Sequence, residues 1–208
     1  MNVRLRFAVQ RARDNNMPID NIERAIQKGS GEGGAQEQLE EVTYEGYGPG
    51  GTAILLHALT DNRNRTASEV RSTFSRNGGN LGENGCVAWI FEPKGIISVD
   101  ADPEKADDLA LLVIDAGAED FNLEESTLEV YTDPDAFEPV RKKLEEEAAS
   151  VKLAEFSMVP NNTVALDDRT AEQALRLLDR LEDLDDIQKV YSNADFPDEV
   201  LAKYQAVG

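Results

Sequence analysis

Cysteine and histidine occur once each, as Cys86 and His57, which excludes an intrachain disulfide framework and leaves no zinc-ligand set. No apolar run approaches the ~18 residues of a membrane-spanning helix, and no charged, apolar and small-residue succession reads as a signal peptide. Basic charge is scarce too: 21 Lys and Arg against 41 Asp and Glu give the 208 residues a formal net charge of −20. A surface of that sign repels polyanions, although physiological salt screens the repulsion beyond roughly 8 Å, so indiscriminate tight DNA binding is not expected. These absences predict a soluble, cytoplasmic chain with no resident metal or cofactor. Its length provides cores for one large domain or about two to three small ones.

The charge that is present lies unevenly. Residues 1–94 hold 11 basic against 12 acidic side chains, and residues 95–208 hold 10 against 29. Residues 1–28 carry Arg4, Arg6, Arg11, Arg13, Arg24 and Lys28 against Asp14, Asp20 and Glu23. A weakly basic head therefore precedes an acidic body. Six cations on two short helices could touch sugar-phosphate backbone without reading sequence; an ordinary solubilising face is the plain alternative, with comparable weight.

Periodicity divides the chain. Residues 2–28 read as two helices, the first with Leu5, Ala8, Val9 and Ala12 on one stripe and Val3 and Phe7 opposite. Pro18 favours the start of the second helix, Asp20 with Glu23 has capping-box spacing, and Gly29 ends it. Gly29–Gln38 has the composition of a flexible linker. Strands are then predicted over Thr52–Thr60 and Cys86–Phe91, flanking a helix whose inner face is Ala67, Val70 and Phe74. A comparable unit comprises strand Thr163–Leu166, helix Thr170–Leu181, capped by Thr170, and strand Ile187–Ser192. Between the two units come strand Ile96–Val99, helix Pro103–Ala116 stopped at Gly117, strands Asp120–Leu123 and Thr127–Tyr131, helix Asp135–Glu146 and strand Glu155–Val159. The order βαββαβ predicts a ferredoxin-like sandwich. The expected fold class is α+β, with a small N-terminal helical domain and linker over residues 1–38. A discontinuous α+β domain over 39–94 and 161–208 would hold an inserted acidic ferredoxin-like domain over 95–160.

The segment LTDNRNRTASEVRSTFSRNGGNLGENG, residues 59–85, is the richest in chemistry. Arg63 and Arg65 are expected just before a helix capped by Thr66 or Ser68, where unpaired N–H groups already favour an anion. With Arg71, Arg76 and Asn80 of the Gly78–Gly82 loop they form the best candidate contact surface. The competing reading pairs these arginines with Asp61, Glu69 and Glu83 as solvated surface charges worth under ~1 kcal/mol each.

Other motifs favour structural roles. Gly46-Tyr47-Gly48-Pro49-Gly50-Gly51 matches G-x-G-x-x-G, but a strand follows it where a dinucleotide site needs a helix, so a turn requiring positive φ is expected. Tyr44 and Tyr47 would pack or offer stacking faces to bases. His57 reads as a sheet-face residue, Cys86 as a small hydrophobe and Trp89 as core. The acidic runs at Glu124/Glu125, Glu145–Glu147, Asp167/Asp168 and Asp183/Asp185/Asp186 fit helix ends and solvated turns.

The same words carry a likeness. NMPIDNIERAIQKG (Asn16–Gly29), YEGYGPGGTAILL (Tyr44–Leu56), the 59–85 segment, MVPNNTVALD (Met158–Asp167) and LEDLDDIQKVYSNADF (Leu181–Phe196) together resemble the YebC/PmpR family over nearly all of the chain. That family usually begins about forty residues earlier, with a Lys-rich helical segment opening GHSKW. The resemblance implies a three-domain layout and a non-enzymatic regulator of gene expression touching nucleic acid through its arginine loops. Bacterial members are described as DNA-binding transcriptional regulators. Others are described as translation factors acting on ribosomes, including at stalls on proline runs. DNA or rRNA within the ribosome is thus the implied partner, and the acidic body favours the ribosome slightly. A second class of reading makes the acidic insert a module that docks a basic protein. An enzyme with a site between domains is least supported, because no side chain is nominated for it.

Overall fold

The computed structural model describes residues 5, 8–9, 12–13, 16–30, 39–101, 106–124, 126–147 and 150–205. These fall into two compact units, residues 1–40 and 41–208. In the first, Leu5, Ala8, Val9, Ala12 and Arg13 are helical, and helix α1 (Ile19–Ser30) follows Pro18 with Asp20 in its first turn. Ile22 is its buried apolar residue. Val3, Phe7 and linker residues 31–38 lie outside the described residues.

The second unit is built from two sheets. Strands β1 (Glu40–Tyr47) and β2 (Ala53–Thr60) lead into helix α2 (Arg63–Arg76) and a short β3 (Asn80–Leu81). Next come β4 (Phe91–Asp100), α3 (Ala106–Asp115), β5 (Asp120–Glu124), β6 (Thr127–Thr132), α4 (Phe137–Glu146) and β7 (Val151–Pro160). The chain returns through β8 (Val164–Ala165), α5 (Asp168–Glu182), β9 (Ile187–Ser192), β10 (Ala194–Asp195) and α6 (Asp198–Gln205). One sheet has the order β3-β1-β2-β9, with β1–β3 and β2–β9 antiparallel. The other has the order β5-β6-β4-β7, antiparallel throughout. That order and the βαββαβ succession are the expected ferredoxin-like arrangement, and the α+β class holds.

Strand β2 explains how the first sheet is buried on both sides. Its sequence AILLHALT is apolar almost without interruption, as a strand covered on both faces requires. Ile54, Leu56 and Ala58 pack with Val70 and Phe74 of α2 and with Leu177 and Leu181 of α5. Ala53 and Leu55 face Val87, Ile90 and Phe91, joined by Met158 and Tyr191. Each large side chain fully buried there contributes about 1.5–3 kcal/mol. Close approach of α2 to β1 depends on Gly46, where a Cβ would lie 2.7 Å from the Asn80 carbonyl oxygen and 2.8 Å from the Phe74 ring. The glycine-rich turn at residues 48–51 requires positive φ at Gly50 (73°) and Gly51 (77°).

Local expectations fail in four places. Cys86–Phe91 is not a strand: a 3-10 turn (Ala88–Ile90) leads into β4, which begins at Phe91. Trp89 in that turn is 69% exposed rather than core. Asp167, not Thr170, caps α5, its carboxylate accepting from the Thr170 N–H at 2.9 Å. Asn62, not Thr66 or Ser68, caps α2.

Candidate nucleic-acid interface

The cap at Asn62 moves the cap one helical turn upstream of the expected site. Asn62 Oδ1 accepts from the Arg65 N–H at 3.2 Å, so Arg63 and Arg65 lie inside the first turn of α2 rather than before it. Thr66, expected as a cap, is fully buried and turns its hydroxyl toward Asp186 at 2.6 Å.

Asp186, in the loop before β9, organises this end of the helix. Its carboxylate accepts from Thr66 Oγ1 at 2.6 Å, from Thr60 Oγ1 at 3.0 Å and from an Arg65 guanidinium nitrogen at 2.8 and 3.0 Å. The same Arg65 nitrogen donates to Asp61 at 2.7 Å. Hydrogen bonds from Thr66 and Arg65 hold the Asp186 carboxyl below its usual range, although burial opposes them. Asp186 and then Asp61 push the Arg65 guanidinium further up. The phosphate clamp expected at this helix start is therefore occupied by the protein's own carboxylates. Arg65 holds α2 against the β9 loop; it is not an open cation.

The remaining residues of the candidate surface are disposed differently. Arg71 and Arg76 are exposed and make no ion pair among the described residues. At ~100° per residue they lie about 140° apart around α2, on opposite flanks of its outer face. Glu69 and Glu83, proposed partners of these arginines, are likewise exposed without a described ion pair. Arg63 is exposed at the helix start, and its carbonyl accepts from the Tyr44 hydroxyl at 3.2 Å. Asn80 is exposed in edge strand β3, directly opposite Tyr47.

On the sheet face away from α2, a second feature escaped the sequence reading. Glu45 is only 5% exposed and accepts three backbone N–H groups: Gly85 at 2.6 Å, Val87 at 2.8 Å and Ala88 at 2.7 Å. Burial alone would raise its carboxyl, but those three donors bring it below its ordinary value. Glu45 thereby fixes the loop that presents Trp89. The Trp89 indole N–H and the Tyr47 hydroxyl both donate to the Cys86 carbonyl, at 3.1 and 3.0 Å. An acid inside a strand flanked by Tyr44 and Tyr47 was the one hint in the sequence. Tyr44 itself is buried.

In the N-terminal unit, Arg13 and Arg24 are exposed, and Arg24 donates to the Asp20 carbonyl at 3.1 Å and to Asn21 Oδ1 at 2.6 Å within α1. Arg4, Arg6, Arg11 and the Lys28 side chain lie outside the described residues. His57 is half-buried and meets the Tyr191 ring edge-on at 5.2 Å. Among the described residues no group of three or more His, Cys, Asp or Glu could hold a metal ion, and no helix is long and apolar enough to cross a membrane.

Residues 39–194 match the TACO1/YebC second and third domain, and residues 1–32 match the TACO1/YebC protein N-terminal domain. A probable transcriptional regulatory protein from Syntrophus aciditrophicus is 53% identical over 99% of this chain and 82% of its own length. Another from Dehalococcoides mccartyi is 54% identical over 99% of this chain and 81% of its own. The crystal structure of a conserved hypothetical protein from Aquifex aeolicus superposes with a TM-score of 0.85 at 46% identity, covering 96% of this chain and 82% of that one.

Proposed function

The chain belongs to the TACO1/YebC family of regulatory proteins, and from that premise we propose that it is a non-enzymatic regulator that holds nucleic acid on the outer face and C-terminal end of α2. Arg71 and Arg76 supply the phosphate contacts, and Asn80 stands at the edge strand that follows. Arg63 joins them from the first turn. Arg65 acts only indirectly, by fixing the helix. The N-terminal cations Arg4, Arg6, Arg11, Arg13, Arg24 and Lys28 add sequence-independent backbone contacts.

One observation carries this reading. In a chain with 41 acidic residues, Arg71 and Arg76 stand exposed without a described carboxylate partner, so an arriving phosphate displaces no internal ion pair. Relatives bearing the name probable transcriptional regulatory protein support a nucleic-acid partner at family level. Anisotropy titrations with labelled duplex DNA and with single-stranded RNA, each across a salt series, test the assignment. The Arg71→Ala/Arg76→Ala protein should bind more weakly, with a log K against log salt slope shallower by about 1.4–1.8. Identical affinity and slope in the double variant would refute it.

A further inference from the structure

We infer that Trp89, with Tyr47 and Asn80, forms a stacking site for an unpaired base of single-stranded RNA; the inference rests on the nucleic-acid reading above and specifies its ligand. The site begins with a large apolar ring where burial would be expected. Trp89 is 69% and Tyr47 41% exposed, yet the loop that carries Trp89 is firmly held. Glu45 binds three of its N–H groups, and Val87 and Ile90 on either side of Trp89's turn are buried in the core.

Both rings are tethered by their polar atoms. The indole N–H and the phenol O–H already donate to the Cys86 carbonyl, so each ring has no further donor to offer. The indole therefore selects a π-system rather than a hydrogen-bonding group. Asn80 supplies what the rings lack. Its register partner is Tyr47, and directly opposed residues project to the same face of a sheet, which places an amide donor and acceptor beside the aromatic pair. One cation borders the same edge: Arg76 is exposed in the last turn of α2, the helix that packs on β3. An aromatic platform, an amide and a neighbouring cation match the chemistry of a nucleotide. The base must be unpaired, because within a duplex its faces are already stacked, and unpaired bases are what RNA loops and ends present.

The chain contains one tryptophan, so tryptophan emission reports on this site alone. The full chain is titrated with a single-stranded oligouridine RNA and, separately, with a blunt DNA duplex of equal length. Trp emission and the anisotropy of the labelled oligonucleotide are both followed. The RNA should quench emission with the same midpoint as the anisotropy change, and the duplex should not quench. Trp89→Ala should weaken RNA binding about tenfold with the salt slope and urea midpoint unchanged, and Trp89→Phe should restore most of the loss. RNA binding with unchanged emission and a Trp89→Ala protein that binds like the parent would overturn the stacking site while leaving the nucleic-acid reading intact. Equal quenching by the duplex would overturn the restriction to unpaired bases. Absence of binding to either probe would overturn both.

Discussion

Replacing Glu45 by alanine removes the acceptor of three N–H groups, and the structure allows the cost to be worked out bond by bond. Gly85 is exposed and Ala88 half-buried, so water can re-solvate their N–H groups and each lost bond costs about 1 kcal/mol. Val87 is fully buried; its stranded N–H costs about 1–3 kcal/mol more. The total, about 3–5 kcal/mol, is a large share of the ~5–15 kcal/mol that stabilises a typical domain. With a urea m-value near 2 kcal/mol/M, the midpoint should fall by roughly 2 M. Trp89 emission should report loosening of the 82–90 loop at lower urea than the far-UV helix signal. The pH dependence has a definite sign. The folded-state carboxyl lies below its ordinary value of 4.5, so its stabilisation is complete above that value and is lost as pH falls through the lower folded-state value. The parent should lose stability over that interval faster than Glu45→Ala. A midpoint shift below about 0.5 M, with an unchanged acid profile, would refute the assignment of Glu45 as the anchor of this loop.

Asp186→Ala deprives buried Thr60 and Thr66 of a shared acceptor, and the Thr66 hydroxyl can then donate to Thr60 Oγ1, 2.8 Å away; a loss of about 1–2 kcal/mol is expected by urea unfolding, with the salt slope of RNA binding unaltered. Unchanged stability with abolished binding would instead make the Arg65 end of α2 part of the interface. Gly46→Ala forces a methyl against the Asn80 carbonyl and the Phe74 ring, and should destabilise by about 1–3 kcal/mol. Thermal unfolding at the parent temperature would show that α2 is not seated as closely on β1 as described.

Much of the framework was legible because local periodicity reports which side of an element is buried. The inner face Val70 and Phe74 of α2 and the βαββαβ order of residues 95–160 were read from the chain and recur in the structure. Gly117, with φ of 105°, ends α3 where a glycine signalled a stop. The candidate site was less legible. Exposed Arg71 and Arg76 look no different in sequence from Arg65, and their separation into open and occupied cations depends on Asp186, which lies 121 positions from Arg65.

The amino-acid order alone determined most of the longer elements, their inner faces and the class of the fold, since propensity, turn chemistry and apolar spacing act over a few residues. Tertiary structure alone decided which charges are spent and which aromatic ring meets solvent. Glu45 finds its three N–H donors some forty positions away. Trp89, apolar enough to predict a core position, is turned outward because its neighbours Val87 and Ile90 take that core instead. Hydrogen bonds between distant segments are set by the path of the chain, and side-chain type does not encode that path locally.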